Sequence, residues 1–358
     1  MTTSVSVAMA TCNGSRYLAA QLESLARQTW LPAELVVTDD ASTDDTVAIV
    51  EAFARTAPFP VRLHVNPKRL GYRANFMKAA QLCESDVIAF CDQDDEWLED
   101  KLAICIERFV NTDALLICHN ATVTDSEMLE IDTLARDALP AAYNPALTVG
   151  PLTYGLGFTL LFRRQLMEFS PLWQHSLDFH DTANHEGHDQ WFFFLANVFG
   201  SIVYIGTPLA RYRRHAAAAT NTRWAGASWV ARGLPFLFEN QHHWRNFADG
   251  CARRAELLRE VANRYPPQYR EAALAGAERF DAYALLYFNR LTLYNTPSLI
   301  ERFAVFFRIR TSGGYRNDDV WAKGSRSAVK DLLVGVFALG NLRKRFSPST
   351  ENVKLGGH

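Results

Sequence analysis

The chain has few of the signals that mark specialised proteins, and each absence narrows the field. Its six cysteines (Cys12, Cys83, Cys91, Cys105, Cys118 and Cys251) form no C-x-x-C pair and lie mostly in apolar contexts. Neither a zinc site nor a disulfide framework is expected, and a reducing, cytoplasmic setting is. No uninterrupted apolar run is long enough to span a bilayer, and the N-terminus lacks the basic and apolar regions of a signal peptide. A net charge of -2 over 358 residues excludes the basic footprint of a nucleic-acid binder. The turn after the first strand, Thr11-Cys12-Asn13-Gly14-Ser15, is not G-x-G-x-x-G, which argues against a nicotinamide oxidoreductase. The remaining composition, 48% hydrophobic and 21% charged, is that of a globular protein of one large domain or two.

What is present is a strict alternation. The pattern predicts strands over Ser4–Ala10, Glu34–Thr38, Val61–Val65, Val87–Cys91 and Ala114–Cys118. Between them it predicts a helix capped by Ser15 with Leu18, Leu22 and Leu25 inward, and one capped by Ser42 or Thr43 with Val47, Val50 and Phe53 inward. Helices are also predicted over Tyr72–Leu82 and Trp97–Val110, which gives a mostly parallel α/β sheet covered on both faces. A looser stretch from Thr122 to Pro151 follows, then strand-like Gly155–Phe162, a helix over Gly187–Phe199 and a strand over Ser201–Ile205. Beyond Ala216 the periodicity is helical throughout, around Trp229–Phe238, His242–Arg264, Gln268–Leu293 and Ser298–Ile309.

In such sheets the loops after parallel strands meet at one edge and form the ligand site. The loop after the fourth strand is Asp92-Gln93-Asp94-Asp95. Three crowded carboxylates call for a cation, and hard oxygen ligands suit Mg²⁺ or Mn²⁺. The competing reading is a solvated acidic turn before a helix.

The ordered set of motifs decides between the two. Val5-Ser6-Val7-Ala8-Met9-Ala10-Thr11-Cys12-Asn13-Gly14, Gln28-Thr29-Trp30, Glu34 to Asp44, Asn66 with Gly71 and Asn75, and Phe90 to Trp97 together strongly resemble the family 2 glycosyltransferases of the GT-A fold. Gly187-His188-Asp189-Gln190-Trp191 and Tyr212-Arg213-Arg214-His215 resemble motifs of a bacterial rhamnosyltransferase branch. The resemblance runs from about residue 4 to 215. It implies a catalytic domain over 1–215, a helical region over 216–346 and a polar tail over 347–358.

The same resemblance implies the site. The donor nucleotide and sugar are expected at Thr11, Asn13, Asp39, Asp40, Arg73, Asp92 and Gln93, with Asp39 facing the base. Turn formation competes at Asn13, helix capping at Asp40 and simple exposure at Arg73. Asp94 and His215 are the expected metal ligands for Mg²⁺ or Mn²⁺. Asp189 is the expected general base, against a helix-capping role. His188 and Trp191 are the expected acceptor contacts, although Trp191 also fits a core position. His188 stands where many members have Glu. Arg213 and His215 are expected to close over the donor phosphates, against the competing reading of a surface loop with ordinary cations.

The implied activity is inverting transfer of a deoxyhexose, dTDP-L-rhamnose being the favoured donor, to a glycan or lipid-linked acceptor in polysaccharide assembly such as O-antigen. A catalytically silent nucleotide-sugar-binding or scaffold protein of the same fold is the alternative. The aromatic-rich tail holds Trp224, Trp229, Phe236, Phe238 and Trp244. There too Phe303, Phe306 and Phe307 alternate with Arg302, Arg308 and Arg310, either as a peripheral membrane contact or as a packing or homo-oligomer face.

Overall fold

The computed structural model describes residues 3–134, 139–215 and 242–337. Trp224, Trp229, Phe236, Phe238, the Trp229–Phe238 helix and the polar tail lie outside the described residues.

The chain opens as a repeating strand–helix unit: β1 (Val5–Thr11), α1 (Leu18–Ala26), β2 (Glu34–Asp39), α2 (Thr46–Ala54), β3 (Val61–Val65), α3 (Tyr72–Leu82) and β4 (Val87–Cys91). A two-residue strand β5 (Glu96–Trp97) and helix α4 (Lys101–Asn111) follow, then β6 (Leu116–Thr124), β7 (Glu130–Thr133) and β8 (Tyr143–Asn144). Strand β9 (Leu160–Arg163), helix α5 (His188–Phe199) and the long strand β10 (Ile202–Arg213) complete the sheet. The described C-terminal part is helical: α6 (His242–Arg264), α7 (Arg270–Asn295), α8 (Leu299–Thr311) and α9 (Gly324–Lys330), which runs into a π-helical turn over Asp331–Val336.

Strands β3, β2, β1 and β4 are parallel neighbours in that order. The sheet then departs from the expected parallel run, because β9 inserts antiparallel between β4 and β6. Register brings Thr11 opposite Asp39 and Met9 opposite Cys91, so three strands end at one edge. All of β1, β2 and β4 is buried, as strands covered on both faces must be.

Alternation along β1 splits the core into two. Val5, Val7 and Met9 pack with Leu18, Leu22, Leu25, Cys105 and Phe109 on the face covered by α1 and α4. Ala8 and Ala10 turn to the other face, where α3, α5 and the C-terminal helices share one continuous cluster. Phe194 of α5 meets Phe280 of α7 edge-on at 5.3 Å. Each fully buried aromatic of this kind contributes roughly 2 kcal/mol through removal from water.

The structure departs from the local sequence pattern at several points. Trp97 belongs to β5, paired to Ala210, and α4 begins only at Lys101. Gly157–Thr159 is a 3₁₀ turn, so the strand expected over Gly155–Phe162 shrinks to Leu160–Arg163. Strand β10 outruns its expected end at Ile205 and reaches Arg213 through register shifts around Pro208. Neither Ser15 nor Ser42 nor Thr43 caps a helix; Asp44 accepts from Thr46 N instead. Among the phenylalanines of α8, Phe306 is buried, Phe303 packs on Phe337 and Phe307 is exposed, while Arg302 binds the Thr296 carbonyl. Among the described residues no helix is long and apolar enough to cross a membrane.

Candidate active site

The loop after β2 is built around two buried carboxylates. Asp39 Oδ2 accepts from Thr11 Oγ1 at 2.8 Å and Ser42 Oγ at 2.5 Å, while its Oδ1 accepts from Ser42 N at 2.8 Å. Asp40 points the other way. Its Oδ1 accepts from Asn66 Nδ2 at 3.1 Å and Leu70 N at 2.6 Å, and its Oδ2 accepts from Gly71 N at 2.9 Å. Gly71, at φ 84°, sits where a side chain would strain the backbone. Asp40 therefore anchors the approach to α3, and its expected donor contact is corrected to a structural one.

The loop after β1 is tied down by its neighbours. Asn13 adopts φ 49°, a conformation that asparagine tolerates, and its Oδ1 accepts from Thr43 N at 2.8 Å. Gln93 grips the same loop, accepting from Cys12 N at 2.9 Å and donating to Cys12 O at 3.2 Å. A Cβ on Gly14 would stand 2.2 Å from Gln93 Oε1, so that close approach needs glycine. Gln93, expected at the donor, spends both ends of its amide on the Cys12 backbone, while Asn13 is exposed and commits its Oδ1 to Thr43.

The acidic loop after β4 behaves differently. Asp94 Oδ2 lies 2.8 Å from His215 Nε2, with side chains 22% and 12% exposed. Residues 121 positions apart are thus brought together by the end of β10. The His215 ring leans on Tyr17 at 4.8 Å. Asp95 is fully buried; its Oδ1 accepts from Arg213 N, and its Oδ2 has no partner among the described residues. Burial, reinforced by the Asp94 and Asp92 carboxylates, pushes the Asp95 carboxyl well above the usual range. Burial also pushes Asp92 up to about 8, with the charges of Asp94 and Asp189 adding to it.

Arg213 does not face outward to phosphates. It is buried and donates to Asp94 O at 2.9 Å, Ser126 O at 2.8 Å and Glu96 Oε1 at 3.0 Å, which moulds the acidic loop from behind. Lys101 stands in no motif of the sequence. It is wholly buried, its Nζ donates to Phe158 O at 2.7 Å and lies 3.4 Å from the Trp97 ring centroid, and burial lowers its pKa to about 7.

Asp189 occupies the first turn of α5, half-buried, and its Oδ1 accepts from Gln190 N at 2.9 Å. Burial raises its carboxyl to about 6, the Asp178 charge adding and Arg73 opposing. Arg73 donates to Asp178 Oδ2 at 2.5 Å, on the side of Asp189. His188 is also displaced from its expected role. Its ring is stacked at 3.9 Å on Phe76 and edge-on to Phe90, neither nitrogen has a partner among the described residues, and burial drives its pKa down to about 3. Trp191 is fully buried against Phe194 and cannot meet an acceptor. Both follow from one fact: of His188-Asp189-Gln190-Trp191, the helix leaves only Asp189 partly open.

Asp94 and His215 offer one oxygen and one nitrogen to a cation, and the crowded, raised carboxyls of Asp92 and Asp95 would ionise more readily beside one. Among the described residues no cluster of three or more such ligands occurs, so a divalent ion would complete its shell with substrate phosphate and water.

Residues 6–169 match the family model described as Glycosyl transferase family 2. That stretch is a family 2 glycosyltransferase segment. Bacillus subtilis EpsH is 30% identical over 221 residues, 60% of this chain and 62% of EpsH. The dTDP-rhamnosyl transferase RfbG of Shigella flexneri is 33% identical over 119 residues, 32% of this chain and 40% of RfbG. In both cases the match spans less than two thirds of the relative. Among solved structures, S. aureus TarS 1-349 in complex with UDP superposes with a TM-score of 0.53 at 15% identity, covering 98% of this chain and 94% of TarS 1-349. The family 2 segment and its helical extension therefore have the GT-A type of fold.

Proposed function

We propose that the chain is an inverting glycosyltransferase that moves a sugar from a nucleoside-diphosphate donor to a hydroxyl of a glycan or lipid-linked acceptor. What supports the reading is the Asp94–His215 pair at 2.8 Å, beside an Asp92 whose carboxyl is raised by burial first and then by the charges of Asp94 and Asp189.

Each residue then has a task. Asp39 retains a lone pair on Oδ1 beyond the Ser42 bond, suited to a pyrimidine imide N–H, with Thr11 fixing its orientation. Asp94 and His215 are the residues that would hold Mg²⁺ or Mn²⁺. Bound there, the ion would offset negative charge on the departing diphosphate. Asp92 faces the sugar. Asp189 takes the proton of the acceptor hydroxyl as it attacks the anomeric carbon, and a carboxyl raised to about 6 is well matched to that task near neutral pH.

Similarity to a dTDP-rhamnosyl transferase supports a deoxyhexose donor such as dTDP-L-rhamnose, and with it a place in cell-surface polysaccharide synthesis. On this reading residues 1–215 are the catalytic unit and 216–346 the helical region, whose described part, 242–337, completes the core of that unit. Exposed Ile300 and Phe307 on α8 support contact with a membrane surface by a lipid-linked acceptor's enzyme.

The test is a thermal-shift panel of dTDP-L-rhamnose, UDP-GlcNAc, UDP-galactose and GDP-mannose, with and without Mn²⁺. A donor at a hundred times its Kd stabilises by about 2.7 kcal/mol. Stabilisation by dTDP-L-rhamnose that grows with Mn²⁺ is the expected result. A flat response to every donor sinks the reading, and equal shifts without metal remove the ion from it.

A further inference from the structure

The loop that delivers Asp189 has no regular structure between the 3₁₀ helix Arg164–His175 and α5. Such a segment needs an outside reason to hold one position, and the structure supplies one from α6. Arg254 forks onto Glu186, three residues before Asp189, with Nε to Oε1 at 2.7 Å and Nη2 to Oε2 at 3.1 Å. Its third nitrogen donates to Pro151 O at 2.6 Å. The pair is sealed from water, with side chains 3% and 0% exposed. Aromatic faces from three segments close around the guanidinium, Phe194 at 4.6 Å, Phe179 at 5.3 Å and Phe280 at 5.5 Å.

The other polar atoms of Glu186 are engaged as well. Its carbonyl accepts from Trp173 Nε1 at 2.9 Å, and its N–H donates to Ser176 Oγ at 3.0 Å. Farther back in the loop, Gly250 of α6 lets the helix press on Phe179, since a Cβ there would lie 3.0 Å from Phe179 Cβ. The loop is therefore gripped twice by the same helix, once beside Asp178 and once beside Glu186.

A buried ion pair is a weak source of stability, because desolvation offsets much of the attraction and apolar replacements often do as well. What a forked, fully bonded guanidinium does supply is a fixed geometry. We infer that Arg254 is a positioning residue, holding Glu186 so that the first turn of α5 presents Asp189 to the acceptor hydroxyl. The C-terminal helices thereby take part in the reaction centre without touching substrate. This rests on the reading of Asp189 as the base.

The experiment compares full-length wild type with the double variant E186M/R254M and with R254K. Three quantities are read: the thermal midpoint, hydrogen exchange at the amides of residues 187–190, and nucleoside diphosphate release from dTDP-L-rhamnose with its dTDP affinity. The apolar double variant is expected to keep its midpoint within a few degrees. Its exchange at 187–190 rises at least about tenfold, and kcat falls roughly 100-fold, the scale of a 1 Å misplacement, while dTDP affinity holds within about twofold. A stable double variant with wild-type kcat and exchange overturns the inference. If the double variant does not fold, R254K decides, because lysine keeps the charge and loses the fork. Slower turnover with faster exchange sustains the clamp, and wild-type values overturn it. The failure of the base reading looks different: Asp189→Asn would then turn over at the wild-type rate, and the exchange result would stand without a catalytic consequence.

Discussion

Two acidic loops at one sheet edge make an instructive contrast. After β2, the carboxylates of Asp39 and Asp40 collect six hydrogen bonds between them from Thr11, Ser42, Asn66, Leu70 and Gly71. After β4, Asp92 has no hydrogen bond from the described residues that would offset its burial, Asp95 keeps an unpartnered oxygen, and Asp94 meets only an imidazole at 2.8 Å. Donors aimed at a carboxylate stabilise its charge and freeze the backbone around it, whereas carboxylates crowded against one another resist ionising until something positive arrives. The first loop is scaffold that presents one residue. The second leaves its carboxyls short of donors.

Substitutions separate the two kinds of carboxylate. The largest effect is expected at the catalytic end, where Asp189→Asn should cut turnover about 1000-fold, as for loss of a general base, with donor affinity unchanged. Steady-state kinetics check this, and a fall under tenfold would return Asp189 to helix capping. Next comes Asp40→Ala, which strands Asn66, Leu70 and Gly71 donors and should cost about 3 kcal/mol in a denaturant titration. Asp94→Ala should do the reverse, leaving stability within about 1 kcal/mol because its partner pair is near the surface, while abolishing metal-stimulated turnover. If Asp40→Ala stays as stable as wild type, the contrast between the loops collapses.

Smaller still, His215→Ala should weaken Mn²⁺ affinity about tenfold, read by calorimetric titration in the presence of dTDP. The smallest effect is the pH dependence from Asp189. Its folded pKa of about 6 lies above the ordinary 3.8, so kcat should rise with pH through about 6 as the base form appears. The same shift acts oppositely on stability. The folded state binds this proton more tightly than the unfolded chain, so the group's contribution is full below about pH 4 and is lost as pH rises through about 6. Asp189→Asn should remove that loss, making the inactive variant the more stable one at pH 8 in thermal melts.

Much of the frame was legible in the order of residues. Strands β1 to β4 and helices α1 to α3 follow from apolar runs and 3.6-residue periodicity, and their loops had to meet at one edge once the strands were parallel. Legibility failed where a residue's role depends on direction. Asp40 and Gln93 are loop residues of the right chemistry, yet their polar atoms turn inward to the chain's own groups. His188 and Trp191 flank Asp189 in sequence, but the helix rotates both into the aromatic core. Arg73 finds Asp178, a residue with no motif around it, 105 positions away. Lys101 and Arg254 gave no signal at all, because a buried cation looks in sequence like any surface lysine or arginine on a helix.

The sequence by itself determined the strand–helix alternation, the acidic loop and the family resemblance, since these rest on local periodicity and short spacings. Tertiary structure alone decided that β9 runs antiparallel through the sheet, that His215 meets Asp94, and that α6 grips the loop before Asp189. Those pairings join residues some 70 to 120 positions apart, and no local pattern encodes which distant partner a buried charge will find. Only the packed core, by excluding water, makes each of them choose.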